Sequence, residues 1–401
     1  MQKKYKVIIV GGGASGLMCA IELLSGAFAL TGEQIAILER NDRVGKKLIA
    51  TGNGQGNLSN TNFSADFFHG EKGFLRVFVQ QTEQLDLLSY LKKLGIPLVA
   101  NEDGKIYPLS KQANSVLDIM RAFLSNKGCQ IFTDTRVEKI KKEGDLFSIA
   151  TSNDKFLAES VVLATGGKSA KQFGTDGTAY SLAQSFGHEL TPLYPSLVQL
   201  KTELDNIRGL KGLKETVKLT AFDGDIELKS SIGELLFTEY GVSGNAVFQI
   251  SGRLTDAKKP KIKVEFLPEL TQEEIEELLI YREELGYLDG ELFLSGILNK
   301  RIGQSVIKTA KTTNPKEVAK ALKGFWLNVI GDLGFNYSQV TKGGISTAKI
   351  NPFTLESKLS RNLYLIGELL DVDGDCGGYN LTFAFSTGIL SARAIKSKLT
   401  K

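Results

Sequence analysis

The segment Gly11-Gly12-Gly13-Ala14-Ser15-Gly16 stands between the apolar run Lys6-Val7-Ile8-Ile9-Val10 and the helical pattern Leu17 to Leu24. Glycines at its first, third and sixth positions permit a tight turn, close approach of backbone to a ligand, and packing of the helix on the strand. A helix starting there presents unpaired N–H groups and the positive end of its dipole, which suits a phosphate. Glu39 closes the next apolar strand, which begins at Gln34. A carboxylate so placed accepts hydrogen bonds from ribose hydroxyls. The chemistry is that of a dinucleotide site, and at this point FAD and NAD fit equally.

Two later segments break the tie. Val161-Val162-Leu163-Ala164-Thr165-Gly166-Gly167 is a buried strand ending in Ala-Thr-Gly-Gly, a signature of two-domain flavoproteins. Gly367-Glu368, followed by Gly377-Gly378-Tyr379-Asn380, supplies the other half of such a site. Together with the first turn they favour FAD. Gly167-Lys168-Ser169 is no phosphate loop, because Val162 occupies the position where that motif needs a glycine.

Other catalytic chemistry is sparse. The chain has two histidines, His69 and His188, which argues against a His-rich metal site or a His-dependent triad. Cys19, Cys129 and Cys376 form no CxxC pair, so a disulfide framework is not expected and a reducing cytoplasmic setting fits. Cys376 reads as a small packing residue and His188 as a structural turn residue. No metal site and no catalytic base is assigned.

The elements that hold these motifs follow from periodicity. The 401 residues are 42% hydrophobic and 23% charged, enough for two or three domains with real cores. A net charge of +4 is small for this length and argues against a nucleic-acid partner. No stretch reaches the ~20 apolar residues of a membrane span, and the start lacks a cleavage pattern. The first strand, helix and second strand form a βαβ unit. Helices are expected at 73–95, in two pieces, and at 111–127. A strand at 130–133 is expected to continue through 135–139, followed by a hairpin of 146–150 and 155–158. Short strands at 196–202, 216–222, 225–230, 233–238 and 261–267 then precede helices started by a Thr271/Glu274 capping box and by Asn314-Pro315. A strand at 362–366 and a helix from Ala384 to Lys398 close the chain. The expected fold is α/β: a Rossmann-like FAD-binding domain of the two-dinucleotide-binding-domain type, with an inserted β-rich domain and a small helical domain. Its parts are 1–190 with 336–401 for FAD, 191–270 with about 325–335 for substrate, and 271–324 for the helices. Phe237, Tyr240, Tyr281 and Trp326 are candidate pocket aromatics, though each alone reads as core.

The stretch Gly45-Lys46-Lys47-Leu48-Ile49-Ala50-Thr51-Gly52-Asn53-Gly54-Gln55-Gly56-Asn57-Leu58-Ser59-Asn60 is similar to the GxKLxxTGxGRCNxxN block of a bacterial FAD family. That family includes aminoacetone oxidases and flavoproteins resembling bile-acid dehydro-reductases. Val340 to Ile345 looks like its T-x-GGV block, and Gly367 to Asn380 its GExLDxxGxxGGYN block. The chain departs at Gln55-Gly56, where Arg-Cys is usual, and in this resembles the aminoacetone oxidase branch. The resemblance implies that Gly11, Gly13, Ala14, Ser15 and Gly16 line the pyrophosphate. Glu39 and Arg40 would meet the adenosine ribose, with Lys47 and Leu48 nearby. Val137 would offer backbone to the adenine, and Ala164, Thr165 and Gly166 would pass under the adenosine. Asn53 and Asn57 would approach the flavin. Gly367, Glu368 and Asp373 would hold the ribityl chain or phosphate. Gly378, Tyr379, Asn380 and Leu381 would aim N–H groups at the flavin pyrimidine edge, stabilising charge there as an oxyanion hole does. Without the Cys, a thiol or covalent link at residue 56 is excluded.

The function implied is an FAD-dependent amine oxidase turning aminoacetone, O2 and water into methylglyoxal, ammonia and hydrogen peroxide. An NAD(P)H-dependent flavin reductase of activated C=C bonds is the alternative, with NAD(P)H docking transiently. An RNA-acting or non-catalytic flavoprotein is a remote third.

Overall fold

The computed structural model describes residues 3–399. The chain divides into two compact units, residues 1–193 with 340–401, and residues 194–339.

The first unit is built on β1 (Lys3–Val10), α1 (Ala14–Leu23), β2 (Ile35–Leu38), β3 (Phe68–Gly70), α2 (Lys72–Leu85), α3 (Ala113–Asn126), β4 (Gln130–Phe132), β5 (Val137–Glu143), β6 (Leu146–Thr151), β7 (Lys155–Leu163), β8 (Leu363–Leu365), β9 (Val372–Gly374) and α4 (Tyr379–Leu399). The main sheet runs β4-β2-β1-β7-β6-β5, with β8 also on β7. Its centre is parallel, and Val7 to Val10, Ile35 to Leu38, Val161 to Leu163 and Leu363 to Leu365 are all buried. Unbroken apolar strands are what a sheet covered on both faces demands.

Two expectations change here. The segments 155–158 and 160–163 are one strand, β7, and Ala164 and Thr165 follow its end. It lies parallel to β1 along one side, and on the other pairs antiparallel with β6 and then parallel with β8. The run 130–139 is two strands rather than one. Asp134 adopts φ +50°, and N–H groups of Asp134 and Thr135 donate to carbonyls of Asn41 and Glu39 at 2.9 and 2.8 Å. The chain therefore turns past the end of β2, and β5 starts afresh in a hairpin with β6.

In the second unit the strands Leu200–Thr202, Gly241–Ser243, Ile226–Phe237, Lys214–Asp223, Pro260–Phe266 and Phe325–Asp332 close a barrel in that order. The expected pair 225–230 and 233–238 is the single strand Ile226–Phe237. Thr271 and Glu274 form the reciprocal capping box at Gln272–Glu284, and Asn314 Oδ1 accepts from Glu317 N at 3.3 Å to start Pro315–Lys323. These two helices and Lys300–Ala310 share the barrel's core, where Ile275, Leu279, Ile302, Val306 and Val318 meet Val217, Leu219, Val264 and Phe266. The helix Asn245–Leu254 went unread because only Gly244 precedes it and no side chain caps it. Phe237 is buried in the barrel core, whereas Tyr281 and Trp326 are exposed and Tyr240 is half-buried.

Helix α4 brings the chain's end back against α1. A Cβ at Gly388 would stand 2.5 Å from the Ser15 carbonyl oxygen, a backbone atom that cannot yield. Helix propensity favours alanine over glycine by about 1 kcal/mol, but overpacking of this kind costs about 1–3 kcal/mol. Gly388→Ala is therefore expected to lower the melting temperature of the apoprotein. An unchanged or higher melting temperature would show that the two helices can part.

Candidate functional site

The Gly11–Gly16 turn sits where three strand ends converge. Gly11 N donates to Leu38 O at 2.8 Å and Ala164 N to Val10 O at 2.9 Å. Gly11 has φ +107°, and a Cβ there would lie 2.4 Å from Ala164 O; at Gly16 it would lie 2.0 Å from Gly11 O. Both positions need glycine for the protein's own packing. Gly13 does not: its φ is −81°, and a Cβ there would meet nothing within 4 Å. It stands at the N-cap of α1, where no side chain satisfies the helix N–H groups. A glycine that the protein itself does not require, facing open space before a helix N-terminus, fits a pyrophosphate drawn in close. The Thr165 hydroxyl, buried with no hydrogen-bond partner, is a second polar atom that a bound group would satisfy.

Several side chains expected near the cofactor are held by one another. Glu39 is 6% exposed; it accepts from Gly12 N at 2.7 Å and from the N and Nδ2 of Asn41 at 2.8 Å each. A carboxylate has about four acceptor sites, which leaves one for a hydroxyl. The Arg40 guanidinium forks onto Asp176 at 2.8 and 2.9 Å. That bond, with help from Thr178, holds the Asp176 carboxyl well below the usual carboxylate range. Arg40 thus ties the end of β2 to the loop after β7, a role the sequence reading missed along with Asp176. Glu368 accepts from Thr341 N at 2.9 Å and from Lys47 Nζ at 2.6 Å. Thr341 Oγ1 in turn accepts from Lys168 N and Ser169 N at 2.8 and 3.0 Å. The three sequence blocks around Lys47, Thr341 and Glu368 therefore meet in one network. Leu48 is core, Val137 opens β5 half-buried, and Gly166 takes φ +72°.

The loop Thr51–Gly54 carries Gly52 and Asn53 in the left-handed region, at φ 56° and 55°. Asn53 and Gln55 are exposed. Gly56 has φ +76°, with Ala113 atoms 3.1 to 3.2 Å from where its Cβ would be, so the backbone here favours glycine over the family's Cys. Asn57 donates to Ser59 O at 3.0 Å and accepts from Gly378 N at 3.1 Å. Asn60 Nδ2 donates to Gly377 O at 3.0 Å.

Tyr379, Asn380 and Leu381 were expected in a loop but form the first turn of α4, whose first internal bond is Thr382 N to Gly378 O at 3.0 Å. The N–H groups of residues 379–381 point out of the helix start without ladder partners. Their side chains are engaged elsewhere. The Tyr379 ring stacks on Phe67 at 4.6 Å and its hydroxyl donates to Asn62 O at 2.9 Å. Asn380 bonds the N and O of Gly374, each at 2.8 Å. Asp373 is buried on β9. Gly367, at φ +65°, packs on Ser15, where a Cβ would lie 2.6 Å from Oγ.

His69, read in the sequence only as one of two histidines, lies 2.7 Å from Asp375, a pairing the sequence does not announce. His188 is buried, with Nε2 2.8 Å from Ser357 Oγ, and burial lowers its imidazole below the ordinary range. Burial pushes the Cys19 and Cys129 thiols up to about 12, too high for nucleophiles at neutral pH. Among the described residues no cluster of His, Cys, Asp and Glu could hold a metal, and no helix is long and apolar enough to cross a membrane.

The contrast among the glycines is testable. Gly13→Ala should leave the apoprotein's melting temperature unchanged and weaken FAD binding by about tenfold or more, ~1.4 kcal/mol. Loss of stability with FAD affinity intact would reverse the assignment.

A family model described as HI0933-like protein Rossmann domain matches residues 5–394. The chain is 36% identical to a 3-dehydro-bile acid delta(4,6)-reductase of Clostridium scindens, over 97% of this chain and 98% of that protein. It is 28% identical to a ribosomal RNA dihydrouridine synthase of Haemophilus influenzae, over 98% of this chain and 99% of that one. In fold it is similar to the 3-ketosteroid delta1-dehydrogenase of Sterolibacterium denitrificans, with a TM-score of 0.53 at 13% identity, covering 99% and 100% of the two chains. The cofactor is FAD, and the protein is an FAD-dependent oxidoreductase. With a Rossmann-type domain carrying a glycine turn, an Ala-Thr-Gly-Gly strand end and a returning C-terminal helix, the chain belongs to the HI0933-like family.

Proposed function

We propose that this protein is an amine oxidase of aminoacetone type. The reading rests chiefly on the charge of one neighbourhood. The loop 51–57 contains no charged residue and no thiol, Gln55-Gly56 standing where the family pattern has Arg-Cys. That loop is tethered through Asn57 to Gly378, next to a segment with three carboxylates, Asp371, Asp373 and Asp375. An arginine there would repel an ammonium substrate, whereas carboxylates attract one. Burial raises the Asp371 carboxyl, with Thr191 and Lys342 opposing.

In this reading the turn at Gly11–Gly16 holds the ADP half of FAD, with Glu39 toward the ribose. The start of α4 at Tyr379–Leu381 faces the flavin pyrimidine edge with its open N–H groups. FAD supplies the redox chemistry and the chain supplies orientation and charge. The overall reaction is aminoacetone plus O2 plus water to methylglyoxal, ammonia and hydrogen peroxide. The residues' part is to hold the ammonium, let it lose a proton, and shield the site.

A second reading, NAD(P)H-dependent reduction of an activated C=C bond, is favoured by the 36% identity to the bile-acid reductase. Mixing the holoenzyme anaerobically with aminoacetone separates the two. Bleaching of the flavin, reversed by air with one peroxide released per amine, is expected. Bleaching by NADH or NADPH alone, with recovery on adding an enone, would replace the oxidase reading with the reductase.

A further inference from the structure

The ribbon of β3 and β9 sets His69 opposite Asp373, and His69 Nε2 lies 2.7 Å from Asp375 Oδ1. Both side chains are largely enclosed, at 18% and 12% exposure. The pair is wired to α4. Asp375 N donates to Phe67 O at 2.9 Å. Asn380, in the first turn of α4, holds both polar groups of Gly374 and reaches Asp375 O at 3.4 Å. A short run of hydrogen bonds therefore joins the imidazole to the helix start that the proposed function turns toward the flavin. The charged and titratable groups on the surrounding elements are Asp371 before β9, Asp373 on it, Asp375 and Cys376 after it, Lys342 on the adjoining strand Val340–Lys342, Glu71 and Lys72 at the start of α2, Asp66 before β3, and Tyr379 on α4. Glu71 is occupied in capping Gly73 N and Phe74 N. The chain's other imidazole, His188, is bound to Ser357 and buried.

Two electrons entering the cofactor bring negative charge to this end of the unit, and that charge favours a proton nearby. We propose that His69, held by Asp375, is the residue that binds this proton, passing from imidazole to imidazolium as the flavin is reduced and releasing the proton on reoxidation. Only one N–H bond forms and breaks, with solvent as source and sink. His69 is a positioning and charge-compensating residue here, not a group that touches substrate. The inference rests on the flavin lying at the α4 start, and holds for either redox partner.

The test is spectroelectrochemistry of the holoenzyme against pH. One extra proton per two electrons changes the reduction equilibrium tenfold per pH unit, about 30 mV. The wild-type midpoint potential should fall about 30 mV per pH unit more steeply than that of His69→Gln through the imidazole range. Equal slopes with FAD retained in both would overturn the proposal. If the variant loses FAD, imidazole NMR of the wild type decides: with only two histidines the signals are assignable. Titration of His69 at higher pH after reduction supports the proposal, and an unmoved titration refutes it. In the apoprotein, Asp375→Asn should shift that titration to lower pH, and no shift would remove Asp375 from the pair. A wild-type protein that takes up no FAD would instead overturn the reading on which this rests.

Discussion

Backbone approaching backbone, with no side chain between, is the constraint on which the first unit depends. The glycines at 11 and 16 let β1 turn into α1 against the end of β7, and Gly388 lets α4 lie on α1. A single added methyl at any of these would meet a carbonyl oxygen at 2.0 to 2.5 Å. Because the contacts are made by main chain, they place the start of the sequence, the strand end at Ala164 and the C-terminal helix in one assembly. Among the glycines of that turn Gly13 alone would have nothing within 4 Å of an added Cβ, and that opening is where we propose the phosphates of a ligand approach.

Around this assembly the polar side chains act mostly on each other. Arg40 with Asp176, Lys47 with Glu368 and Thr341, and Asn57 with Gly378 each tie together segments far apart in sequence. The largely enclosed, charge-assisted Arg40–Asp176 pair is stronger than an exposed ion pair of the same length. The result is a frame in which loops, rather than strands, are pinned. What remains open at the starts of α1 and α4 is chiefly backbone N–H, which leaves a helix start able to accept a negatively charged group.

The glycine turn, the buried parallel strands and the helix caps at Thr271 and Asn314 were legible in the sequence, because each depends on residues within a few positions. The misreadings have one physical origin. The continuous β7 and the strand break at Asp134 are decided by partners more than a hundred residues away or by the end of β2. Arg40, Glu368 and Asn380 have the residue types of cofactor ligands, and only the folded chain reveals that Asp176, Thr341 and Gly374 take up their side chains. His69 and Asp375 are separated by 306 residues, and no local pattern announces such a pair. The start of α4 was placed in a loop because Gly377-Gly378 reads as a breaker, whereas it is the residue pair from which the helix begins.

The central claim is that one FAD spans both ends of the chain, its ADP half at Gly11–Gly16 and its flavin at Tyr379–Leu381. Backbone amide NMR of the apoprotein titrated with ADP and then with FAD tests it most directly. The account predicts that ADP shifts the amides of Gly13, Ala14 and Ser15 alone, and that FAD shifts these together with Tyr379, Asn380 and Leu381 at one equivalent. Amides 379–381 that stay still with FAD, or move as fully with ADP, would contradict it.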